Sequence, residues 1–568
     1  MTWLERLHDR TIAGRRAAVT VSARRIFLAW AVLTVLLGLG ALPGLERLGL
    51  YYDEAFMAQQ ARGFLEPDRA GTHPASVRSV DIGGRPFPLR NAVYLGSLKS
   101  QLLIPALAAG GSSVRVVRTA TLACALTALL LAMLWASRLF GETASIWMGI
   151  FVASDPSFFF FSQFEWGPFT TNFLCRAAGA LLVVVAWQSP SRRRSALAAG
   201  GAGLWLGLGV FSRADFGIIL ACAGLALLLA RPDLVTRAWH EKRGAVLAGS
   251  AAFLLAALPM ILSSLDLLTT GQAVADRGDL SFRLGVLTGV LDGSHFQRLM
   301  RAGGVFEHVQ NTEGSRSFLS LMLIPAAALL IGDLWHQRRK GSPIRQDAWV
   351  FLLLTTGFVI VAMLALPGAV RAHHQLNALP LPHLILGCAV VSLWRMPRPR
   401  GLGPVIASLA VVLLLAGNLR VIAATQSEIT STGGRGRFSS EISALAEEID
   451  AQPQTQVVSL DWGFHEPLLF LTDRAQMVEP IWVIPQFLAR RQPWTFAGDE
   501  DTTYLVHGPE YDLFGIGPAL LLAARTNADP SIEVTPHRDG SGDVAFYSVQ
   551  IHRPHELSFN GRFRIRPR

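Results

Sequence analysis

Long apolar runs alternate with short polar connectors along the first 425 residues of the chain. An α-helix needs roughly 20 mostly apolar residues to cross the hydrocarbon core of a bilayer, and each run is close to that length. The pattern predicts eleven transmembrane helices, at residues 26–43, 116–138, 143–162, 169–188, 196–212, 215–230, 245–265, 317–335, 348–366, 375–394 and 402–423. The predicted fold class is a polytopic α-helical membrane protein.

Basic residues fall in alternate connectors, as expected for loops that stay in the cytoplasm. They occur in the N-terminal segment 1–25 and in later connectors on the same side, at residues 138, 192–194, 231–243, 338–345 and 395–400. The N-terminus is therefore expected in the cytoplasm. Since no small-residue cleavage site follows the first run, this run is expected to be an uncleaved signal anchor. An odd number of spans then places the C-terminus outside.

Two connectors on the outer side are long, at residues 44–115 and 266–316, and long loops are usually functional or disordered. Asp53 to Leu65 has apolar residues at helical spacing and predicts an amphipathic helix in the membrane interface, with Asp53 at its N-terminus. The apolar stretch Leu102 to Ala109 contains a proline and is too short to cross. It predicts a re-entrant or surface helix.

The composition changes after Ala424, where small and charged polar residues return. Residues 426–440 predict a linker, because they are rich in Ser, Thr and Gly. Beyond it, helical and strand patterns occur at Ile442 to Ile449, Gln456 to Leu460, Thr503 to Val506, Pro518 to Arg525, near Ile532 and at Val544 to Ile551. They predict a small soluble α/β domain within residues 426–568, after a membrane domain at residues 26–425.

Composition supports the membrane class, with 51% hydrophobic and 16% charged residues. The net charge of +10 could indicate a nucleic-acid partner, but the basic clusters lie where orientation signals belong, so none is predicted. The four cysteines lie in apolar runs without metal or redox spacing. Lysine occurs only three times, which is typical of a GC-rich bacterial genome, and the expected location is the bacterial inner membrane.

An acidic pair follows the first span, in Tyr51-Tyr52-Asp53-Glu54-Ala55. By itself the pair fits an N-cap at Asp53 and a favourable first-turn charge at Glu54. Its position before an amphipathic helix, in the first outer loop of a polytopic protein, resembles the signature of the C superfamily of glycosyltransferases. Within it, the chain most resembles the protein O-mannosyltransferase and lipid A aminoarabinose transferase group.

Further short sequence segments carry the same resemblance. It extends over the arrangement of spans to about residue 425 and the presence of a soluble outer domain after them. The segments are Arg118 with Arg138-Leu139-Phe140-Gly141, Ser154-Asp155-Pro156, Phe161-Ser162-Gln163-Phe164-Glu165, and Arg371-Ala372-His373-His374-Gln375-Leu376 with Leu379-Pro380. The resemblance implies transfer of a sugar from a polyprenyl-phosphate carrier to a lipid, glycan or protein acceptor outside the cytoplasm, with inversion.

Such a reaction needs a base for the acceptor hydroxyl, and Asp53 is the candidate, with Glu54 orienting the acceptor or holding Asp53. It also needs positive charge at the departing lipid phosphate. Arg213 and Arg371, each at the outer end of a helix pair, are the candidates. The alternative for both arginines is a snorkelling or salt-bridged turn.

Five further residues are candidates with structural alternatives. Glu165 is a possible site acid or a solvated loop residue, and Asp155 is a buried site acid or a cap of a helix broken at Pro156. His373 and His374 are possible phosphate contacts, and His295 a possible contact of the sugar or a divalent metal. A lone histidine is more often structural. Some members of the superfamily use a metal, but no metal-ligand spacing occurs here.

The segment Asp461-Trp462-Gly463-Phe464-His465-Glu466 follows a predicted strand, which is a usual position for binding residues in α/β domains, although a structural turn is the alternative. Two rival functions stay open. A transporter or flippase for a lipid-linked sugar would place charges within spans and show paired halves. A non-enzymatic envelope scaffold would use the outer domain to bind a partner.

Overall fold

The computed structural model describes residues 12–69, 77–270, 279–339, 346–366, 371–396, 401–473, 477–480, 483–484, 487, 490, 492–499, 501–527 and 529–567. The start of the basic N-terminal segment, at 1–11, and parts of two predicted basic connectors, at 340–345 and 397–400, lie outside the described residues.

The described part of residues 12–432 forms seventeen α-helices. In chain order they are α1 (Ile12–Ala41), α2 (Tyr52–Leu65), α3 (Leu98–Gly110), α4 (Val114–Phe140), α5 (Glu142–Ser154), α6 (Pro156–Phe161), α7 (Phe169–Gln188), α8 (Arg192–Ser212), α9 (Phe216–Ala230), α10 (Pro232–Thr270), α11 (Leu280–Leu291), α12 (His295–Arg301), α13 (Leu319–Arg339), α14 (Gln346–Ala365), α15 (Ala372–Gln375), α16 (Leu381–Trp394) and α17 (Leu402–Thr432).

Nine of these segments, counted over the described residues, are long and apolar enough to cross a membrane. They are α1, α4, α7, α8, α10, α13, α14, α15 continued by α16, and α17. The predicted span at 143–162 is broken instead, because Pro156 starts the short helix α6 and the Asp155 carboxylate caps it by accepting from the Phe158 N–H at 2.9 Å. The span predicted at 215–230 is α9, whose 15 residues extend about 22 Å.

The outward faces of α1, α10 and α17 carry large apolar side chains. Leu39 on α1 and Leu255 on α10 are 70% and 75% exposed, whereas most residues of α16 are buried. An exposed apolar band of this length has the bilayer as its solvent. The chain is therefore an integral membrane protein, with α16 in the interior of the helical bundle.

The long connector at 44–115 folds into α2, a three-stranded antiparallel sheet and α3. The sheet order is β1 (Arg78–Asp81), β2 (Pro86–Ala92) and β3 (Leu95–Gly96), and Leu95 also pairs with Arg213 just after α8. A Cβ atom at Gly96 would lie only 1.9 Å from the carbonyl oxygen of Phe211, so the chain needs glycine there. This close approach fixes the end of α8 against the sheet. The predicted short helix with an internal proline is α3.

The C-terminal region is a small α/β structure, as predicted. Its elements are α18 (Glu441–Ala451), β4 (Gln456–Ser459), α19 (His465–Leu471), β5 (Trp494–Gly498), β6 (Thr502–Val506), α20 (Ile516–Thr526), β7 (Ile532–Arg538), β8 (Val544–Ile551), β9 (His555–Phe559) and β10 (Phe563–Pro567). The strand orders are β4-β6-β8-β7, in which β4 and β6 are parallel and the other named pairs antiparallel, and an antiparallel β10-β9-β5. Both sheets contribute to one apolar core.

Helix α2 packs inside the protein, so the predicted interfacial position is wrong. Most of its residues are buried, because α3 and the C-terminal helix α19 cover it. Arg62 on α2 donates to the carbonyls of Leu469, Phe470 and Thr472 at the end of α19. Those carbonyls lack intrahelical partners, and the arginine satisfies them.

The predicted linker is also largely wrong. Helix α17 continues through Thr432, and Glu428 within it pairs with Arg301 at 2.8 Å. The chain then turns through glycines into Arg437, whose guanidinium is buried against Asp461 of the C-terminal region. Polar composition alone indicated a linker because these polar side chains find their partners only in the folded structure.

Candidate active site

The acidic pair lies in the first turn of α2. Tyr51 is the residue before the helix, with extended backbone angles, so Asp53 is not the N-cap that its sequence position suggested. Asp53 and Glu54 both occupy the first turn, where the positive end of the helix dipole stabilises negative charge. Tyr51 is buried and stacks on Phe438 with ring centroids 4.5 Å apart, which anchors the start of the helix.

The Asp53 carboxylate lies among two arginines and one backbone donor. It accepts a hydrogen bond from the Gly167 N–H, and Arg213 and Arg371 are close enough to favour its charged form. Burial has the larger effect and raises the pKa of Asp53 from 3.8 to about 6, against the arginines and the hydrogen bond. Near neutral pH, Asp53 is thus a carboxylate with more than ordinary basicity.

Gly167 belongs to the loop between α6 and α7. Its φ of +66° favours glycine, and a Cβ there would lie 3.3 Å from Nη1 of Arg213 and 3.5 Å from the His373 ring. The loop thus brings a backbone N–H, an arginine and a histidine together beside Asp53.

Arg213 lies in the turn between α8 and α9. Its Nε is 3.3 Å from Oδ1 of Asp215, and its Nη2 is 2.7 Å from a ring nitrogen of His374. His374 in turn lies 2.7 Å from Oδ2 of Asp215, which also accepts from Asn377. Arg213 is thereby held on two sides, while Nη1 remains on the side of Gly167.

Arg371 precedes α15 and lies over aromatic rings. Its guanidinium carbon is 4.6 Å from the centre of the Phe306 ring and 6.0 Å from that of Trp166. Trp166 also contacts His373 and His295, with ring centroids 5.2 Å and 6.4 Å away. These contacts keep the cation and both histidine rings in one wall of the site.

His295 has no exposed surface, and in the described part of the chain neither of its ring nitrogens has a hydrogen-bond partner. Burial, with the nearby Arg298, lowers the pKa of His295 to about 3, so its ring is neutral. Nδ1 of His373 likewise lacks a partner among the described residues. A neutral imidazole offers one donor and one acceptor, which suits the hydroxyl groups of a sugar.

Glu54 faces away from this group. It pairs with Arg118 at 2.8 Å, and that buried arginine also donates to the carbonyls of Leu45, Leu48 and Gly49. The pair fixes the start of α2 to α4.

Glu165 and Asp155 are both in buried pairs. Glu165 lies 2.6 Å from Nζ of Lys99 and accepts from the Thr170 hydroxyl at 2.6 Å, which fixes the loop that carries Gly167. Asp155 lies 3.1 Å from Nε2 of His383 in addition to its capping role. The sequence alternative of a solvated loop acid at Glu165 is therefore wrong.

The structure adds residues that sequence reasoning did not select. Gly167 and Trp166 adjoin Asp53 and Arg371, and the only sequence signal was Trp166-Gly167-Pro168 after an outward apolar stretch. Tyr94 on the β2–β3 turn is 43% exposed and interacts electrostatically with Asp53 and Arg213. Within the described ranges, no three His, Cys, Asp or Glu side chains are grouped to hold a metal ion.

No family model and no curated protein matches this chain, but solved structures do. The apo structure of ArnT from Cupriavidus metallidurans has a TM-score of 0.52 and 14% identity, covering 92% of this chain and 97% of that chain. ArnT bound to undecaprenyl phosphate gives 0.50 and 13%, covering 95% and 98%. The apo Archaeoglobus fulgidus oligosaccharyltransferase gives 0.50 and 12%, covering 80% of this chain and 64% of that one. These likenesses show that the chain shares the fold of ArnT and of the archaeal oligosaccharyltransferase, as the resemblance predicted.

Proposed function

We propose that this protein transfers a sugar from a polyprenyl-phosphate carrier to an extracytoplasmic acceptor, with inversion at the anomeric carbon. The observation that carries the proposal is the half-buried Asp53 carboxylate beside Arg213 and Arg371. The fold supports it, because a structural neighbour over nearly the whole chain, ArnT, was solved bound to undecaprenyl phosphate.

In the proposed reaction Asp53 is the general base. The acceptor hydroxyl loses its proton to the carboxylate while its oxygen attacks the anomeric carbon, and the bond from that carbon to the phosphate oxygen breaks. One displacement inverts the configuration. A pKa of about 6 leaves Asp53 ionised at neutral pH and still basic enough to accept a proton.

Arg213 and Arg371 would stabilise the lipid phosphate as it departs with the electron pair. Arginine suits this role, because its planar donors pair with phosphate oxygens and it stays charged. His374 is a positioning residue here, since it lies between Arg213 and Asp215. His295 and His373 would contact the sugar.

The remaining acids would hold in place the elements that carry the site residues. Glu54 would hold Asp53 indirectly, by fixing α2 to Arg118, and not by touching the acceptor. Glu165 would hold the Gly167 loop through Lys99, and Asp155 would fix α6 through His383. The proposed reaction uses only groups of the chain, the donor and the acceptor.

We place the chain in the bacterial inner membrane, with a cytoplasmic N-terminus and the site on the outer side. The distribution of arginines supports this orientation. The C-terminal region contacts α2, the helix that carries Asp53. This orientation puts both on the face where a lipid-linked sugar would meet an exported acceptor.

The test is mass spectrometry of envelope glycolipids, glycans and glycoproteins from cells that carry either the parent chain or Asp53→Asn at equal protein levels. We expect one sugar modification to disappear in the variant, which would identify donor and acceptor. Identical profiles would contradict the proposal. To separate transfer from transport, the purified chain is incubated in detergent with the lipid-linked donor and an envelope extract as the source of acceptor, where an enzyme forms product and a flippase does not.

A further inference from the structure

A cleft of about 230 Å³ lies between α1 and α17, at the end of α1 that leads to Asp53. Both helices pack on α5, and Gln426 of α17 donates to the carbonyl oxygen of Gly40 on α1 at 2.8 Å. The short helix α6 and the residues that follow it form the inner wall. The cleft is therefore bounded by three elements of the helical bundle.

The cleft opens at the surface and ends in the core. Leu39 and Pro43 at its mouth are exposed, whereas Phe160 and Phe164 at its inner end are 1% and 4% exposed. Leu39 belongs to the apolar face of α1 that the bilayer covers. The cleft thus continues the lipid-facing surface of the protein inwards, between apolar walls.

Gly44 contributes open space to the cleft. It ends a turn of 3₁₀ helix, Leu42–Gly44, whose backbone conformation other residues can also adopt. A Cβ atom at Gly44 would meet no atom within 4 Å. The fold does not need glycine here, and a larger side chain would fill part of the cleft.

Arg47 is the cation at the mouth of the cleft. It is exposed and donates to the Thr430 hydroxyl on α17. The neighbouring acid, Glu46, pairs with Arg115 at 3.7 Å, and no carboxylate of the described residues lies within ion-pair distance of Arg47. A guanidinium has five N–H groups, so donors remain for an anion at this mouth.

We propose that this cleft binds an anionic phospholipid of the surrounding bilayer, with one acyl chain against Phe160 and Phe164 and the phosphate at Arg47. The apolar inner end suits an acyl chain, and the forked N–H groups of arginine suit phosphate oxygens. A phospholipid carries its phosphate at one end of its apolar chains, which matches the cation at the mouth and the apolar walls inside.

The size of the cleft favours a lipid chain over a helix of a partner. An apolar cavity of about 150 Å³ binds benzene, so a cleft of about 230 Å³ holds part of one acyl chain. One turn of a helix about 10 Å across and about 5.4 Å long occupies roughly 400 Å³. A transmembrane helix of another protein, or of a second copy of this chain, therefore does not enter the cleft.

The proposed site of the sugar carrier is elsewhere. Arg213 lies between α8 and α9 and Arg371 precedes α15, and none of these three helices lines the cleft. The bilayer lipid takes no part in sugar transfer. This inference therefore stands or fails independently of the proposed function.

The first experiment locates the bound lipid by photo-crosslinking. The full-length chain is placed in vesicles of phosphatidylcholine with a small share of phosphatidylglycerol that carries a diazirine in one acyl chain, and mass spectrometry of peptides maps the adducts. We expect adducts concentrated on residues 160–164 and 426–429, above the level at the exposed Leu255 on α10. Equal levels at both places would overturn the proposal.

Gly44→Leu should fill the cleft and abolish the adducts on residues 160–164. Gly357→Leu is the matched control, because a Cβ atom at this exposed position of α14 also meets no atom within 4 Å and lies outside the cleft. It should give the same adducts as the parent. Adducts that persist in Gly44→Leu, or that are lost equally in both folded variants, would contradict the site. Melting temperatures check that both are folded.

Arg47→Gln tests the headgroup, and it tests the site even if the filled variant does not fold. For the parent we expect about fivefold more adduct on residues 160–164 from the phosphatidylglycerol probe than from a phosphatidylcholine probe with the same diazirine, which is the effect of one basic residue on an anionic lipid. Arg47→Gln should lose this preference. Arg420→Gln, at another exposed arginine of α17, should keep it. An unchanged preference in Arg47→Gln would contradict the assignment.

A competition experiment separates the phospholipid from the sugar carrier. Unlabelled phosphatidylglycerol should displace the probe from residues 160–164, whereas the same amount of undecaprenyl phosphate should not. Displacement by undecaprenyl phosphate as effective as that by phosphatidylglycerol would assign the cleft to the carrier and overturn the proposal.

Discussion

Two groups of charged residues include neighbouring acids of α2, the buried Glu54 and the half-buried Asp53, and they differ in how their charges are paired. Glu54 joins Arg118, and nearby Glu165 joins Lys99, so two acids meet two bases at close range. Asp53 is held by one backbone N–H, with its arginines arranged around it.

The difference indicates which group is scaffold and which is site. Arg118 donates its hydrogen bonds to Glu54 and to three backbone carbonyls, which leaves few N–H groups for a ligand. In the Asp53 group, His295 and His373 keep ring nitrogens without partners among the described residues. A scaffold satisfies its own polar groups, whereas a binding site leaves groups for the substrate to satisfy.

The largest expected effect on activity is that of Asp53→Asn. Loss of a general base lowers the rate by about 10²–10⁴-fold. Stability should stay equal or rise, because the folded protein holds this carboxylate at a raised pKa, so that its charged form is disfavoured by folding at pH 7. Transfer rate and melting temperature of the purified variant test both statements. A variant that keeps parental activity removes Asp53 as the base.

The next effect is that of Arg371→Ala and Arg213→Ala. Removing one preorganised donor at a developing charge typically costs about 10²–10³-fold in rate. Arg371→Lys should recover only part of this, since it loses the planar donor pair. The control is Arg115→Ala, an exposed arginine in the first turn of α4. If that control loses as much activity, the effect is one of general surface charge.

Glu54→Gln should lower the free energy of unfolding. Breaking a buried ion pair while leaving Arg118 in place costs about 3–5 kcal/mol. Glu46→Gln is the control, because its pair with Arg115 is exposed and such pairs contribute about 0–1 kcal/mol. Denaturation in detergent measures both. Equal stability of the two variants would show that the Glu54 pair does not support the fold.

Activity should also fall at acid pH. The pKa of Asp53 is raised to about 6, so the base is ionised above that pH and becomes protonated below it. We expect kcat/KM to fall tenfold per pH unit below about pH 6 and to be level from pH 7 to 8. A profile that stays level to pH 5 would contradict this assignment.

His374→Gln should have the smallest effect. Its ring positions Arg213 against Asp215, and loss of one hydrogen bond to a charged group is worth about 1.5–3 kcal/mol, so KM for the donor should rise about 10- to 150-fold. The control is His308→Gln, an exposed histidine between α12 and α13. An effect on kcat alone would indicate a different role for His374.

The spans and the C-terminal α/β region could be predicted from the sequence, because each depends on local periodicity. The β8 pattern predicted at Val544 to Ile551 has those bounds in the structure. The break at Asp155-Pro156 was harder to predict, since the apolar run continues across it. The capping contact of Asp155 shows where the helix restarts.

The candidate site was only partly predictable. Asp53, Arg213 and Arg371 could be selected by type and position, but their grouping depends on contacts between residues more than 150 positions apart. Gly167 contributes a backbone N–H, which leaves no chemical signature in its side chain. The partners of Glu54 and Glu165 also lie far along the chain, so the sequence could not separate the scaffold acids from the base.

The most direct test of the account compares Asp53→Asn and Glu54→Gln in one experiment, with transfer rate per folded molecule and melting temperature measured for each purified chain. The account predicts opposite results: Asp53→Asn loses transfer and keeps its melting temperature, while Glu54→Gln loses melting temperature and keeps most of its transfer. If Glu54→Gln abolishes transfer in a stably folded chain and Asp53→Asn does not, the assignment of base and scaffold is contradicted.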